Sequence, residues 1–368
     1  MKPKILFVHT YYPGFLEDFY KNRKLATKKG VFDEWFGSAN FYSKSLSKCG
    51  WSCEEVIAND YNTQSLWAKE HNISVKNDSA WWVKKVPVVI KKYLGLDSWI
   101  KQILFAQIKT LKPDVVYIHD LWILNGNDLK RIKKSVKLIV GQIASPIPPN
   151  IMALKQYDLL TSSFPHYVEK FRAMGIKSEY LRWCVEASIA EKIGIKKRTY
   201  DVVYVGGITH LHSTGNKTLE KITREVKIDF WGYGYNLPKN SCILKNYHGH
   251  AWGRRMYEIF AQAKIVVNRH IDVAENFANN MRMFEATGMG ALLLTEDRPN
   301  MSEFFQVGKE MTTYKNTNDL IAKIKYYLKH ESEREKIAKA GQLRTLRDHT
   351  YQVRMRELDK ILKKYVKV

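Results

Sequence analysis

The chain has 368 residues, 45% of them hydrophobic and 12% aromatic, which excludes a disordered polypeptide because enough apolar surface exists to offset chain entropy. The length suits two domains of roughly 150 to 200 residues better than one core. Lys and Arg outnumber Asp and Glu by 60 to 37, a net charge of +23, divided as 28 against 16 up to Cys184 and 32 against 21 beyond it; at +12 and +11 the charge belongs to both halves, so it attracts anions generally and is no basic tail.

From the N-terminus, short apolar runs recur at KILFVHT (4–10), EEVIAN (54–59), DVVYIHD (114–120), KLIVGQI (137–143) and DLLTSS (158–163). The first is too short for a signal peptide and reads as a strand. No 18 apolar residues run together, so no membrane-spanning helix is expected. Between the strands, DSWIKQILFAQIKTLKPD (97–114) reads as a helix capped by Ser98, with Trp99, Ile103, Ala106 and Ile108 near one face and Pro113 ending it. Strand, helix and strand at this spacing predict a parallel α/β sheet.

Cys49, Cys53, Cys184 and Cys242 are scattered, with no partner set at zinc spacing, so they read as reduced core thiols in a reducing, cytoplasmic compartment. The stretch WWVKKVPVVIKKYLG (81–95) interleaves lysines with tryptophans and valines. Its first reading is core with snorkelling lysines, and its second is peripheral contact with an anionic membrane at the inner face. Lysine-rich KNRKLATKKG (21–30) reads as a solvated loop.

After a Lys/Glu-rich connector (186–199) the strand pattern restarts with DVVYVGG (201–207), KIDFWGYG (227–234), KIVVNRH (264–270), ALLLTE (291–296) and MTTY (311–314). Two tandem Rossmann-like domains, 1–185 and 186–368, are therefore expected. The last 50 residues read as helices long enough to reach back across the first domain.

Ligands of open α/β sheets bind beyond the carboxyl ends of the strands, and polar residues follow the strands here: His119 and Asp120, Gly206 and Gly207, Gly232 and Tyr233, Asn268, Arg269 and His270. GGITHLHSTGNKTLEKI (206–222) has a glycine turn feeding a helix, which suits a phosphate, with Lys217 in reach of a diphosphate. In NNMRMFEATGMGALLLTE (279–296), Asn280, Arg282 and Glu285 open a helix that returns tightly through Gly288 and Gly290 into a strand. A carboxylate so placed accepts two hydrogen bonds from a ribose diol; an isolated Arg282–Glu285 pair would otherwise be a weak surface contact.

This stretch, continued by EFFQVGKEMTTYKNTNDLIAKIKYYLKHESEREKIAKAGQLRTLRDHTY, resembles the C-terminal domain of glycosyltransferases related to the spore-maturation protein CgeB. KPDVVYIHDLW resembles the PDVVHAHDW motif of the larger retaining family that includes glycogen synthase, and YHGHAWGRRMYEIFAQAKIVVN the segment leading to that family's donor site. The resemblance implies the GT-B fold, two Rossmann-like domains facing across a cleft, and a nucleotide-sugar-dependent, retaining glycosyltransferase using UDP- or GDP-sugar. It puts His119, with Asp120, beside the transferring sugar and Glu285 on the ribose. Gly206, Gly207, Lys217, Gly232 and Tyr233 fall near the diphosphate, His248, Asn268 and Asn280 border the donor, and Arg269 and Arg282 offset phosphate charge.

No metal or other cofactor is expected, since no Asp-x-Asp motif occurs and arginine and lysine serve in its place. The implied acceptor is a glycan, a lipid-linked glycan or a protein. Two departures stand out. Nine residues, not seven, separate Glu275 from Glu285, with Phe277 at the strict position, and THLHSTGN, with His210 and His212, replaces the family's usual arginine. Other readings are a nucleotide-sugar epimerase on the same fold, a noncatalytic assembly protein, and a basic nucleic-acid-binding module, the last of which the motifs do not favour.

Overall fold

The computed structural model describes residues 2–21, 23, 27–75, 99–208, 213–234, 237–278 and 280–366. The 81–95 stretch, the Ser98 cap, His210 and His212, and part of the 21–30 loop lie outside the described residues.

The first sheet contains β1 (Lys4–His9), β2 (Ser52–Ile57), β3 (Val115–Ile118), β4 (Leu138–Ile143), β5 (Leu159–Ser162) and β6 (Ser178–Tyr180), in the order β2-β1-β3-β4-β5-β6. The second contains β7 (Tyr200–Val205), β8 (Asp229–Trp231), β9 (Ala263–Val267), β10 (Leu292–Glu296) and β11 (Thr312–Tyr314), in the order β11-β10-β9-β7-β8. Every pairing within the sheets is parallel. Helices cover both faces of such a sheet, which is why β3 and β4 are buried throughout and read as apolar runs, broken in β4 only by Gln142.

Strand order fixes where a ligand fits. The chain leaves β1 for β2 on one side and returns to β3 on the other. In the second sheet it leaves β7 for β8 and returns to β9. A crevice opens beyond the carboxyl end of the sheet at each reversal. His9 and His119 stand at the first, since Val8 pairs with Ile118 and both histidines follow directly. Gly206 and Asn268 stand at the second, following β7 and β9.

The expected helix spans Trp99–Leu111 and buries Ile103, Leu104, Gln107 and Ile108. Ala106 is only half-buried, so the buried stripe is rotated from the expected face. Gln107 replaces it inside because its amide donates to Gln64 Oε1 at 2.6 Å, satisfying a polar group in the core. Strand β6 escaped sequence reading because Ser-Glu-Tyr is short and lacks an apolar run.

Of the final helices, Thr317–Lys329 and Glu331–Asp348 pack on the second domain, and Tyr351–Tyr365 returns to the first domain as expected. Thr350 caps the last of them, accepting from Val353 N. Tyr351 packs on Tyr42, Trp51 Nε1 donates to Asp359 at 2.7 Å, and Lys364 pairs with Glu179 at 2.7 Å. One hydrophobic cluster consequently runs from Phe7 and Val115 through Tyr351 and Leu358 to Val203 and Val266. Nearer the cleft, Asp18 holds His250 at 2.6 Å and Trp252 at 2.7 Å. Gly253 (φ 45°) lies so close to the Glu34 carbonyl that a Cβ would collide with it. All four cysteines are free, and no helix among the described residues is long and apolar enough to cross a membrane.

Burial drives the His119 pKa well below its usual value, that of His270 to about 3 and that of His349 to about 4. The unfolded chain takes up protons near pH 6.5 that the fold refuses, so stability is present above that pH and lost as pH falls toward the folded values. Glu285, raised by burial, acts in the opposite sense. The unfolding free energy should fall between pH 6.5 and 5 by at most about 1.4 kcal/mol per pH unit per histidine. His349→Gln should flatten that slope in pH-dependent denaturant titrations; an unchanged slope would contradict the assignment.

Candidate active site

A cavity of about 590 Å³ lies between the carboxyl ends of the two sheets. Its first-domain wall comes from residues after β1, β3 and β4, and its opposite wall from residues after β7, β8 and β9 and the start of the helix Met281–Gly288. The cavity is lined by His119, Asp120, Gly206, Gly207, Gly232, Tyr233, Asn268, Arg269, Asn280, Arg282 and Glu285. Eleven of the thirteen expected site residues are thus brought together.

The two exceptions are Lys217 and His248, which do not line the cavity. Lys217 is exposed on the helix Ser213–Ile222, the ordinary fate of a lysine. His248 is drawn away by Asp229, 2.7 Å from its Nε2, and stacks on Trp231. Glu275 has a 67% exposed side chain and lies 4.0 Å from His166, also outside the cavity wall.

On the first-domain side, Asp120 accepts from Thr10 Oγ1 and Trp122 N, both at 2.9 Å, which ties the turn after β3 to the end of β1. His119 packs edge-on against Tyr42 and parallel to His9. Its low pKa keeps the ring neutral at physiological pH, so it can exchange hydrogen bonds without adding charge.

Opposite, the glycines are required by backbone proximity. Gly232 has φ 141°, and a Cβ there would run into the Gly206 carbonyl. A side chain on Gly207 would strike the Tyr233 ring, which stacks on Trp252. The wall can therefore approach a ligand with its backbone. Arg269 is buried, donating from Nε to Tyr204 Oη and from Nη2 to the Gly207 carbonyl, each at 2.8 Å. Asn280 caps the helix Met281–Gly288 through Met283 N and donates to the Arg269 carbonyl. That capped helix end, with its positive dipole, borders the cavity.

Glu285 is 4% exposed, which removes the weak surface-pair reading. Its Oε2 accepts from Arg282 Nη1 at 2.5 Å, while Tyr257 Oη lies 3.5 Å from Oε1. Burial raises the carboxyl's pKa, with Arg282 and the Tyr257 hydrogen bond opposing. Removing Arg282 would leave an uncompensated buried charge, which is the costly case.

Sequence reasoning missed Tyr204, Gln142, Trp183, Tyr12 and Trp252, all in the cavity wall. Tyr204 and Gln142 occupy strand positions that look like ordinary core. Trp252 sits within the quoted HGHAWGRR, but nothing in the sequence shows that Asp18 draws it toward the first domain. Among the described residues no cluster of three His, Cys, Asp or Glu side chains is disposed to hold a metal ion.

Residues 214–360 match a family model described as glycosyl transferase-like. No sequence among curated proteins matches the chain significantly. Among solved structures, a glycosyltransferase from Rickettsia africae superposes with TM-score 0.60 at 13% identity, covering 100% of this chain and 99% of that one. HepE of Anabaena, in complex with UDP-glucose, gives 0.59 at 11%, covering 98% and 99%. AviGT4, a glycosyltransferase involved in avilamycin A biosynthesis, gives 0.59 at 10%, covering 99% and 98%. The chain has the GT-B fold, and the match over its C-terminal part supports a glycosyltransferase family for it.

Proposed function

We propose that the protein transfers a sugar from a nucleoside diphosphate donor, UDP- or GDP-sugar, to a hydroxyl of a glycan, lipid-linked or protein acceptor. The observation that carries this is the buried Glu285 carboxylate paired with the half-buried Arg282, set beside the capped helix end and the close-approach glycines, across the cavity from His119. Glu285 accepts hydrogen bonds from the ribose diol. Arg282, Arg269 and the helix end Met281–Gly288 face the diphosphate and stabilise the charge that grows on it as the sugar departs. His119 and Asp120 meet the sugar and acceptor from the other domain. The fold shared with HepE, which binds UDP-glucose, supports the donor class.

In this reading the boundary lies at 185/186, with the acceptor side formed by residues 1–185 and the donor side by residues 186–368. The resemblance to the retaining family favours retention, in which the departing phosphate takes the acceptor's proton. Two arginines at the diphosphate position support transfer without a metal. The site acts in the cytoplasm, with the basic surface available to an anionic inner membrane face. The comparisons do not favour the epimerase, nucleic-acid or noncatalytic readings.

Glu285→Gln should weaken UDP binding about tenfold to a hundredfold, the worth of a charged hydrogen-bond acceptor. Because burial raises the Glu285 pKa, wild-type affinity should fall on acidification from a pH above the ordinary glutamate value, and the variant should lose that dependence. Calorimetric titration with UDP and a 2′,3′-dideoxy analogue checks this; equal affinity for the two would contradict the ribose contact. Arg282→Gln should bring UDP about tenfold closer to uridine in affinity. Wild-type UDP affinity should be the same in EDTA as in magnesium, and a magnesium requirement would contradict metal-free binding.

A further inference from the structure

A second cavity, of about 500 Å³, shares no lining residue with the donor cavity. One side is the outer face of the helix Gly253–Ala261, where Arg254, Glu258 and Gln262 recur every four residues. The other is the end of the helix Ala187–Ile193 and the connector after it, which supply Lys192, Lys196 and Lys197. Its volume is that of a small-ligand site.

Four exposed cations thus line one groove. None of them forms an ion pair among the described residues, whereas nearby Lys44, Lys264 and Arg255 pair with Glu186, Asp201 and Glu258. The wall's single carboxylate, Glu258, is therefore already engaged, by Arg255 at 3.5 Å. A concave surface lined by one sign of charge concentrates the opposite sign.

Two of the cations are also held in place. The Arg254 guanidinium lies 4.2 Å from the centroid of the Trp35 ring, and the Lys192 ammonium 5.2 Å. Trp35 comes from the first domain, is 6% exposed and has φ 56°, a left-handed conformation that bulky side chains rarely adopt. Backbone strain of this kind persists only where the surroundings enforce it, and it gathers at ligand clamps. Arg254 N donates to the Glu34 carbonyl at 2.7 Å, which fixes the start of the helix against the same loop. Trp35 so seats a connector cation and a second-domain cation beside each other, against their repulsion.

The lining has one large apolar residue, Ile193, and it is buried, so a ligand is recognised here by charge and not by a base or an acyl chain. Four cations outnumber the needs of a single phosphate. We propose that this groove binds a soluble anion carrying two or more linked phosphates, at a site separate from the donor cavity. Arg254 supplies the planar fork for one phosphate, and the three lysines supply point charges for the rest. The site does not depend on the donor reading.

Calorimetric titration of the full chain with inorganic tripolyphosphate, with UDP in excess to fill the donor cavity, tests this. The wild type should bind at a single site, more weakly as salt rises. Lys196→Gln/Lys197→Gln, at two exposed positions outside the donor cavity, should weaken binding about tenfold or more. Lys130→Gln/Lys134→Gln, which removes the same charge from the first domain, should leave it unchanged, as should Arg282→Gln. Absence of binding to the wild type overturns the proposal. Equal losses in the two lysine pairs also overturn it, because they would reflect diffuse attraction to the net charge of +23. A loss in Arg282→Gln alone places the anion in the donor cavity and overturns it too. So does cosedimentation with phosphatidylglycerol vesicles that needs Lys196 and Lys197 while tripolyphosphate does not bind, which would assign the lysines to a lipid surface. If UDP itself fails to bind, the donor reading falls, and the comparison of the three variants still decides the groove.

Discussion

The burial of the helix Tyr351–Tyr365 against the first domain is the constraint on which the cleft depends. Open α/β sheets joined only by a connector have no reason to hold one mutual orientation, and interdomain motion is the default. Here the last helix carries Tyr351, Met355, Leu358 and Leu362 into a cluster shared with both sheets. It also buries Arg354 completely, with Glu357 as its ion-pair partner. Separating the domains would expose that apolar surface and uncover the arginine. The Asp18 bonds to His250 and Trp252 and the Gly253–Glu34 approach then set the spacing nearer the cavity.

Once the sheets are held, each wall of the cavity concentrates groups that would be unfavourable elsewhere. Glu285, Arg269, His9 and Glu55 are all nearly inaccessible, and buried charges are tolerated only when paired and hydrogen-bonded. Their partners come from neighbouring strand ends or from the same helix, so the parallel topology supplies the compensation. The second-domain wall carries the positive groups, and the first-domain wall carries neutral imidazole, an amide and the Asp120 carboxylate. That division suits a ligand with an anionic end and a hydroxyl-rich end.

Much of the fold was legible because buried parallel strands leave a strong signal. Ten of the eleven strands among the described residues correspond to apolar runs, and the polar residue following such a run falls at the cleft. His119 and Arg269 were found by that rule, and Glu285 by its place on the helix that returns tightly into β10. The rule fails where a side chain is captured by a partner distant in sequence: His248 turns to Asp229, and Trp252 is pulled inward by Asp18. It also misses residues within the strands. Glu55 reads as one of two adjacent glutamates at a strand start, and only the pairing of β2 beside β1 shows that it reaches His9. Ala106 was misplaced because a rotation of one position on a helix depends on a buried glutamine pair that periodicity does not contain.

Thermal unfolding of the wild type and Glu285→Ala with a panel of nucleosides, their mono- and diphosphates, and UDP- and GDP-sugars tests the central claim most directly. A ligand at a hundred times its dissociation constant stabilises by about 2.7 kcal/mol. The account predicts stabilisation of the wild type by one nucleoside diphosphate and its sugar, weaker stabilisation by the monophosphate, and loss of the effect in the variant. Indifference of the wild type to every nucleotide, or an undiminished shift in Glu285→Ala, would contradict it.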